Sequence, residues 1–150
     1  MALKGDRYEL DTDISFFMNE TAARGVVVSV STQGSGSAMD SAAALVTVAA
    51  NPSGANPLGI LLNDVVNIDL TRQHLNQHKD EVQQGGKVTI LTKGNVVTDR
   101  ISGTPTAGGV AYLAASGLIS TSQATGAPAI GRFLSTKDAD GYAKVAVNLP

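Results

Sequence analysis

From Gly85 to Asn148 the chain is a succession of short β-branched and apolar runs separated by glycine-bearing turns. No other feature constrains the fold as tightly. Lys87–Thr92, Val96–Thr98, Val110–Leu113, Leu118–Ser120, Ala129–Leu134 and Ala143–Asn148 each have strand composition. Lys93-Gly94-Asn95 reads as a hairpin turn, and Ser116-Gly117 and Asp138–Gly141 read as further turns. In the last run Lys144 and Ala146 alternate with Val145 and Val147, the period of a half-buried strand. Short strands at this spacing predict a mainly β protein, a small β-barrel or β-tulip-like domain. Neither a helix-bundle stripe nor a βαβ pattern is present.

The first half continues the theme with more irregularity. Val26–Ser31 and Leu45–Val48 are predicted strands, and Leu58–Leu62 with Val65–Ile68 reads as one long strand or two short ones around Asn63-Asp64. Thr71–Gln84 is the one polar, helix-tolerant stretch. Thr71 lacks a Glu or Gln three residues on, and Leu70, Leu75 and Val82 are too sparse for a buried stripe. A short polar helix and an ordered loop therefore both fit residues 71–84. Residues 1–25 have no clear period beyond one possible helical turn over Asn19–Ala23, and are expected as an extended N-terminal arm. The plan is an arm over 1–25 and a single β-rich domain over 26–150. Such an arm is expected to leave the β-domain and order on a partner, with Phe16 and Phe17 as anchors and Lys4, Arg7 and the aspartates setting register; the alternative is an N-terminal strand that pairs within its own barrel.

Composition bounds the function. The 150 residues carry a net charge of −2, and Leu, Ile, Val and Phe make up about a quarter of them, enough for a folded domain. Aromatics are only 4 %, Trp is absent and Gly numbers 16, so the core is thin and leans on a partner subunit. The absence of cysteine rules out a disulfide scaffold, Cys-ligated metal and a cysteine nucleophile. Charged residues at 16 % with no basic cluster leave no footprint for nucleic acid. The apolar runs are too short to span a membrane, and Met1–Asp6 lacks the apolar core of a signal peptide.

Site chemistry is sparse. His74 and His78 lie four apart, a spacing that would put both rings on one helix face for a divalent metal, with Asp69, Asp80 or Glu81 as third ligand. Leu75 stands where the zinc-protease motif needs glutamate, and a polar surface segment is the simpler reading. Asp11 and Asp13 would make an acid–base pair only in a buried cleft. Asp64 and Asp69 suit turn or edge roles. Gly34-Ser35-Gly36-Ser37 is neither a phosphate loop nor a dinucleotide fingerprint, and no Gly-x-Ser-x-Gly elbow occurs. No catalytic, cofactor-binding or metal-ligating residue is assigned.

The runs Gly86–Leu91 with Lys93-Gly94, Gly109–Leu113 with Ala115–Ile119, Pro128–Leu134 and Gly141–Val147 together resemble the decoration, or cement, proteins of tailed-bacteriophage capsids. The opening Met1–Arg7 and the stretch Leu61–His74 are similar to versions in short-tailed phages, cyanophages included. Segment 32–56 carries no such likeness. The resemblance implies a non-enzymatic virion protein without a cofactor, made in the host cytoplasm and seated on the outer capsid surface. Its implied partners are the major capsid protein, two further copies in a homo-trimer, and neighbouring trimers. Expected capsid or subunit contacts are Lys4, Arg7, Tyr8, Phe16, Phe17, Arg72, His74 and His78. A head-fibre base or host-attachment protein is the alternative, though the aromatic-poor sequence argues against sugar stacking. A small metal-binding enzyme built on His74 and His78 is the third reading.

Overall fold

The computed structural model describes residues 3, 8–32, 44–54, 56–62 and 81–149. Its strands are β1 (Tyr8–Asp13), β2 (Phe17–Met18), β3 (Ala22–Ala23), β4 (Val27–Thr32), β5 (Leu45–Val48), β6 (Pro57–Leu62), β7 (Glu81–Val82), β8 (Thr89–Thr98), β9 (Ile101–Ser102), β10 (Val110–Leu113), β11 (Ile119–Ser120), β12 (Ala129–Phe133) and β13 (Ala143–Asn148). One 3-10 turn, Ala115–Gly117, joins β10 to β11. The protein is mainly β, as the sequence predicts. Eleven strands form one mixed sheet in the order β2-β5-β4-β6-β8-β13-β12-β10-β11-β9, with β1 also on β8, and β3 and β7 pair separately.

The sheet is open; it is not a closed barrel. Among the described residues its terminal strands, β2 and β9, each pair with one neighbour and not with each other. Closure comes from side chains instead. One core cluster draws Val27, Ile60, Leu62 and Leu91 from the first half of the sheet, and Leu113, Ile130, Phe133 and Val145 from the second. The two halves therefore pack face to face. A second cluster, with Val28, Val46, Leu61 and Ile90 at its centre, covers the opposite side of the first half and is capped by Met18, Ala22 and Val82. Strands buried on both faces read as continuous apolar runs, which is why Ile60, Leu61 and Leu62 are all fully buried. At roughly 1.5–3 kcal/mol per fully buried aliphatic side chain, β6 is a main source of stability.

β8 is the hinge of this arrangement. Its Thr89–Leu91 pairs with β6, and its Lys93–Thr98 pairs with β13. The same strand pairs with β1 from Ile90 to Asn95. Ile90 and Leu91 thus hold β1 and β6 together, and Lys93–Asn95 hold β1 and β13, so β1 fills the edge opposite the other two. The expected hairpin turn at Lys93-Gly94-Asn95 is therefore absent, because the strand runs straight through it. The glycine serves close approach: a β-carbon on Gly94 would collide with the Tyr8 carbonyl oxygen, and its φ of +146° lies outside the ordinary strand range.

Residues 8–25, expected as an arm reaching away, are extended but bonded to their own domain. β1 lies on β8, β2 runs parallel to β5, and β3 pairs with β7. Leu3 bridges Thr98 and is only 1 % exposed. The segment lacks a period because it visits three partners in short pieces. For the same reason Ala22–Ala23 is a strand where a helical turn was expected, and Glu81–Val82, at the end of the expected helix or loop, is its partner. The rest of that stretch, 71–80, lies outside the described residues, as does the expected strand 65–68.

Candidate interaction surface

Among the described residues, the second half of the sheet is covered on one face only. Along β13, Ala143, Val145 and Val147 are buried, while Lys144, Ala146 and Asn148 point outward. Register carries this outward face across five strands. Tyr8 pairs with Asn95, Asn95 with Ala146, Ala146 with Arg132, and Arg132 with Val110. The face holds an open groove of about 560 Å³, lined by Val110, Ala129, Gly131, Arg132, Ala146 and Asn148. Its floor is small and apolar, and the one charged residue in its lining is the cation Arg132. Arg132 and Lys144 are exposed, and neither has an ion-pair partner among the described residues.

Beside the groove face, β1 forms a second feature. It is exposed on both faces from Tyr8 to Thr12 and has only β8 as a neighbour among the described residues. Tyr8 is 60 % and Leu10 66 % exposed, and Ile14 follows at 39 %. These apolar side chains alternate with Glu9, Asp11 and Asp13. The Asp13 carboxylate is occupied locally, accepting a 2.7 Å hydrogen bond from the Ser15 backbone N–H and another from its hydroxyl. Asp11 lies opposite Lys93 across the strand pair. This is the setting of solvated carboxylates, and it lacks the buried cleft that acid–base chemistry needs.

Of the residues expected from sequence to make contacts, Tyr8 is exposed. Phe16 is partly buried against the second core cluster. Phe17 is half-buried, its ring lying under the Lys87 ammonium at 4.4 Å from the centroid, a cation–π pair within the chain. Lys4, Arg7, Arg72, His74 and His78 lie outside the described residues, as do Asp64, Asp69 and Asp80. Among the described residues no group of three His, Asp or Glu side chains is placed to hold a metal ion. The groove was not found from sequence, because it exists only once β10, β12 and β13 are in register. The alternation of Lys144 and Ala146 with buried valines was the one visible signal of an outward face.

A rigid open sheet that presents a broad face and an exposed edge strand belongs to the class of β-rich structural modules, which act by surface contact. Comparison with known families narrows the class: the model of the phage structural cement protein family (E217 gp24/Pam3 gp6) matches residues 2–148. The chain belongs to that family, and so is a structural component associated with a phage capsid. No curated protein sequence matches it.

Proposed function

We propose that the protein binds the outer surface of the mature shell through the major capsid protein, as a homo-trimer, and stabilises the shell mechanically. The observation that carries this reading is the family match across residues 2–148. The architecture supports it. One half of the sheet is buried on both faces, and the other half presents exposed side chains along β12 and β13. Such a role needs complementary surface and repetition, and it needs neither catalysis nor a cofactor. A ligand that binds only the intact shell stabilises it by mass action, and a repeating lattice multiplies weak individual contacts into avidity. Tyr8, with Lys4, Arg7, Arg72, His74, His78 and the half-buried Phe16 and Phe17, is proposed to supply contacts to capsid or neighbouring copies, and neighbouring trimers are further partners.

The test is to prepare particles without the protein and add it back. Lacking it, particles lose their genome at lower temperature and under milder osmotic shock, and the added protein co-sediments with the shells and restores resistance. Particles that withstand heat and shock equally well without it would remove the cement role.

A further inference from the structure

We propose that copies of this chain join head to tail, the β1 strand of one copy seating in the β10–β12–β13 groove of the next. The proposal rests on the reading of the protein as a self-associating shell component, and it names the two surfaces that meet.

Two exposed surfaces stand on one molecule, and they complement each other. β1 offers the two most exposed large apolar side chains of the described residues, Tyr8 and Leu10, with the exposed carboxylate of Asp11 beside them. The groove offers an apolar floor of Val110, Ala129 and Ala146, with Val110 44 % exposed, and the cation Arg132 in its lining; exposed Lys144 stands on the same face of β13, two residues from Ala146. No acidic residue lines it. Apolar side chains flanked by carboxylate on one surface thus match an apolar floor flanked by cations on the other.

The same charges exclude the obvious alternative. An open strand edge invites pairing with its own copy about a two-fold axis. Here that ribbon would bring together Glu9, Asp11 and Asp13 from each strand, with no cation within β1 and Lys93 of β8 opposite Asp11. Like charges across a strand pair are destabilising. The contact is therefore heterologous, with different patches on the two copies. Contacts of that kind close into rings when the rotation permits.

Three proteins test this: the wild type, Leu10→Arg, and the double variant Arg132→Glu/Lys144→Glu. All three changes fall on exposed side chains, and unchanged circular dichroism and melting temperature will establish that each variant folds. Sedimentation at micromolar concentration is expected to show an oligomer for the wild type and monomers for both variants. A mixture of the two variants is the decisive arm. Leu10→Arg keeps an intact groove and the double variant keeps an intact β1, so one unaltered contact remains and the mixture associates, with the one-to-one dimer as its smallest product. Wild-type mass in either variant, a monomeric wild type, or a mixture that stays monomeric would overturn the proposal. Co-sedimentation of the same proteins with empty shells is scored separately. If the masses behave as stated but the wild type does not bind shells, the head-to-tail contact stands and the cement reading falls.

Discussion

The two halves of the sheet are built from the same kinds of residue and do opposite things. In β4 and β6 consecutive side chains alternate between two cores, Val27 and Ile60 into one, Val28 and Leu61 into the other. In β12 and β13 every second side chain has no core to enter, and Arg132, Lys144 and Asn148 meet solvent. The difference lies in what covers the outer face. Residues 16–26 and 81–88 fold over the first half, and no described segment folds over the second. Covering a sheet face makes it a source of stability; leaving it bare makes it available for association. This protein does both within one sheet, with β8 shared between them.

The sharpest way to break that contrast is in β6. Leu61→Ala leaves a cavity in the second cluster and is expected to cost about 2–5 kcal/mol, read as a fall in the urea midpoint. A loss below 1 kcal/mol would mean that the first half is not packed on both faces. Gly94→Ala comes next. Its β-carbon meets the Tyr8 carbonyl oxygen, so β1 must shift off β8 at a cost of roughly 1–3 kcal/mol. Hydrogen exchange of the β1 amides should accelerate while the β13 amides stay protected. Equal acceleration in both strands would show that β1 and the open half unfold as one.

A smaller effect is expected at the cover of the first half. The Glu20 carboxylate accepts hydrogen bonds from Thr47 Oγ1 at 2.7 Å and from the Val48 backbone N–H at 3.0 Å. Glu20→Ala should cost about 1 kcal/mol, and a value near zero would show that these exposed bonds exchange freely with water. The smallest effect belongs to the open face. Lys144→Gln is expected to change unfolding free energy by no more than about 0.5 kcal/mol, yet to weaken self-association measurably. A large stability loss there would mean that the face is packed after all, and the comparison between the halves would fail.

How much of this was legible follows from which residues carry each feature. The strands β5, β10 and β13 are legible with the bounds they have, β5 and β10 as short runs rich in apolar and β-branched residues and β13 by its alternation of buried and outward positions. The turn at Asp138–Gly141 was legible because its chemistry is local. The Asp138 carboxylate accepts from the backbone N–H groups of Asp140 and Tyr142, at 2.9 and 3.0 Å. Gly94 misled for the opposite reason. A glycine demanded by a neighbouring strand looks, in sequence, the same as one demanded by a turn. Phe16 and Phe17 had the composition of docking anchors, yet core packing and the Lys87 ammonium engage them within the chain.

The sequence by itself determined the class of fold, the positions of most strands and the outward alternation of β13. Each of these depends on neighbours close in the chain, through residue shape, turn chemistry and the two-residue period of a strand. Only the tertiary structure decided that the sheet stays open, that the first twenty-five residues include three paired strands, and that a groove with a cation in its lining lies across β10, β12 and β13. Those features depend on which distant strands share an edge of β8. Pairing partners are selected by the burial of whole faces, a property of the assembled sheet that no local run of residues carries.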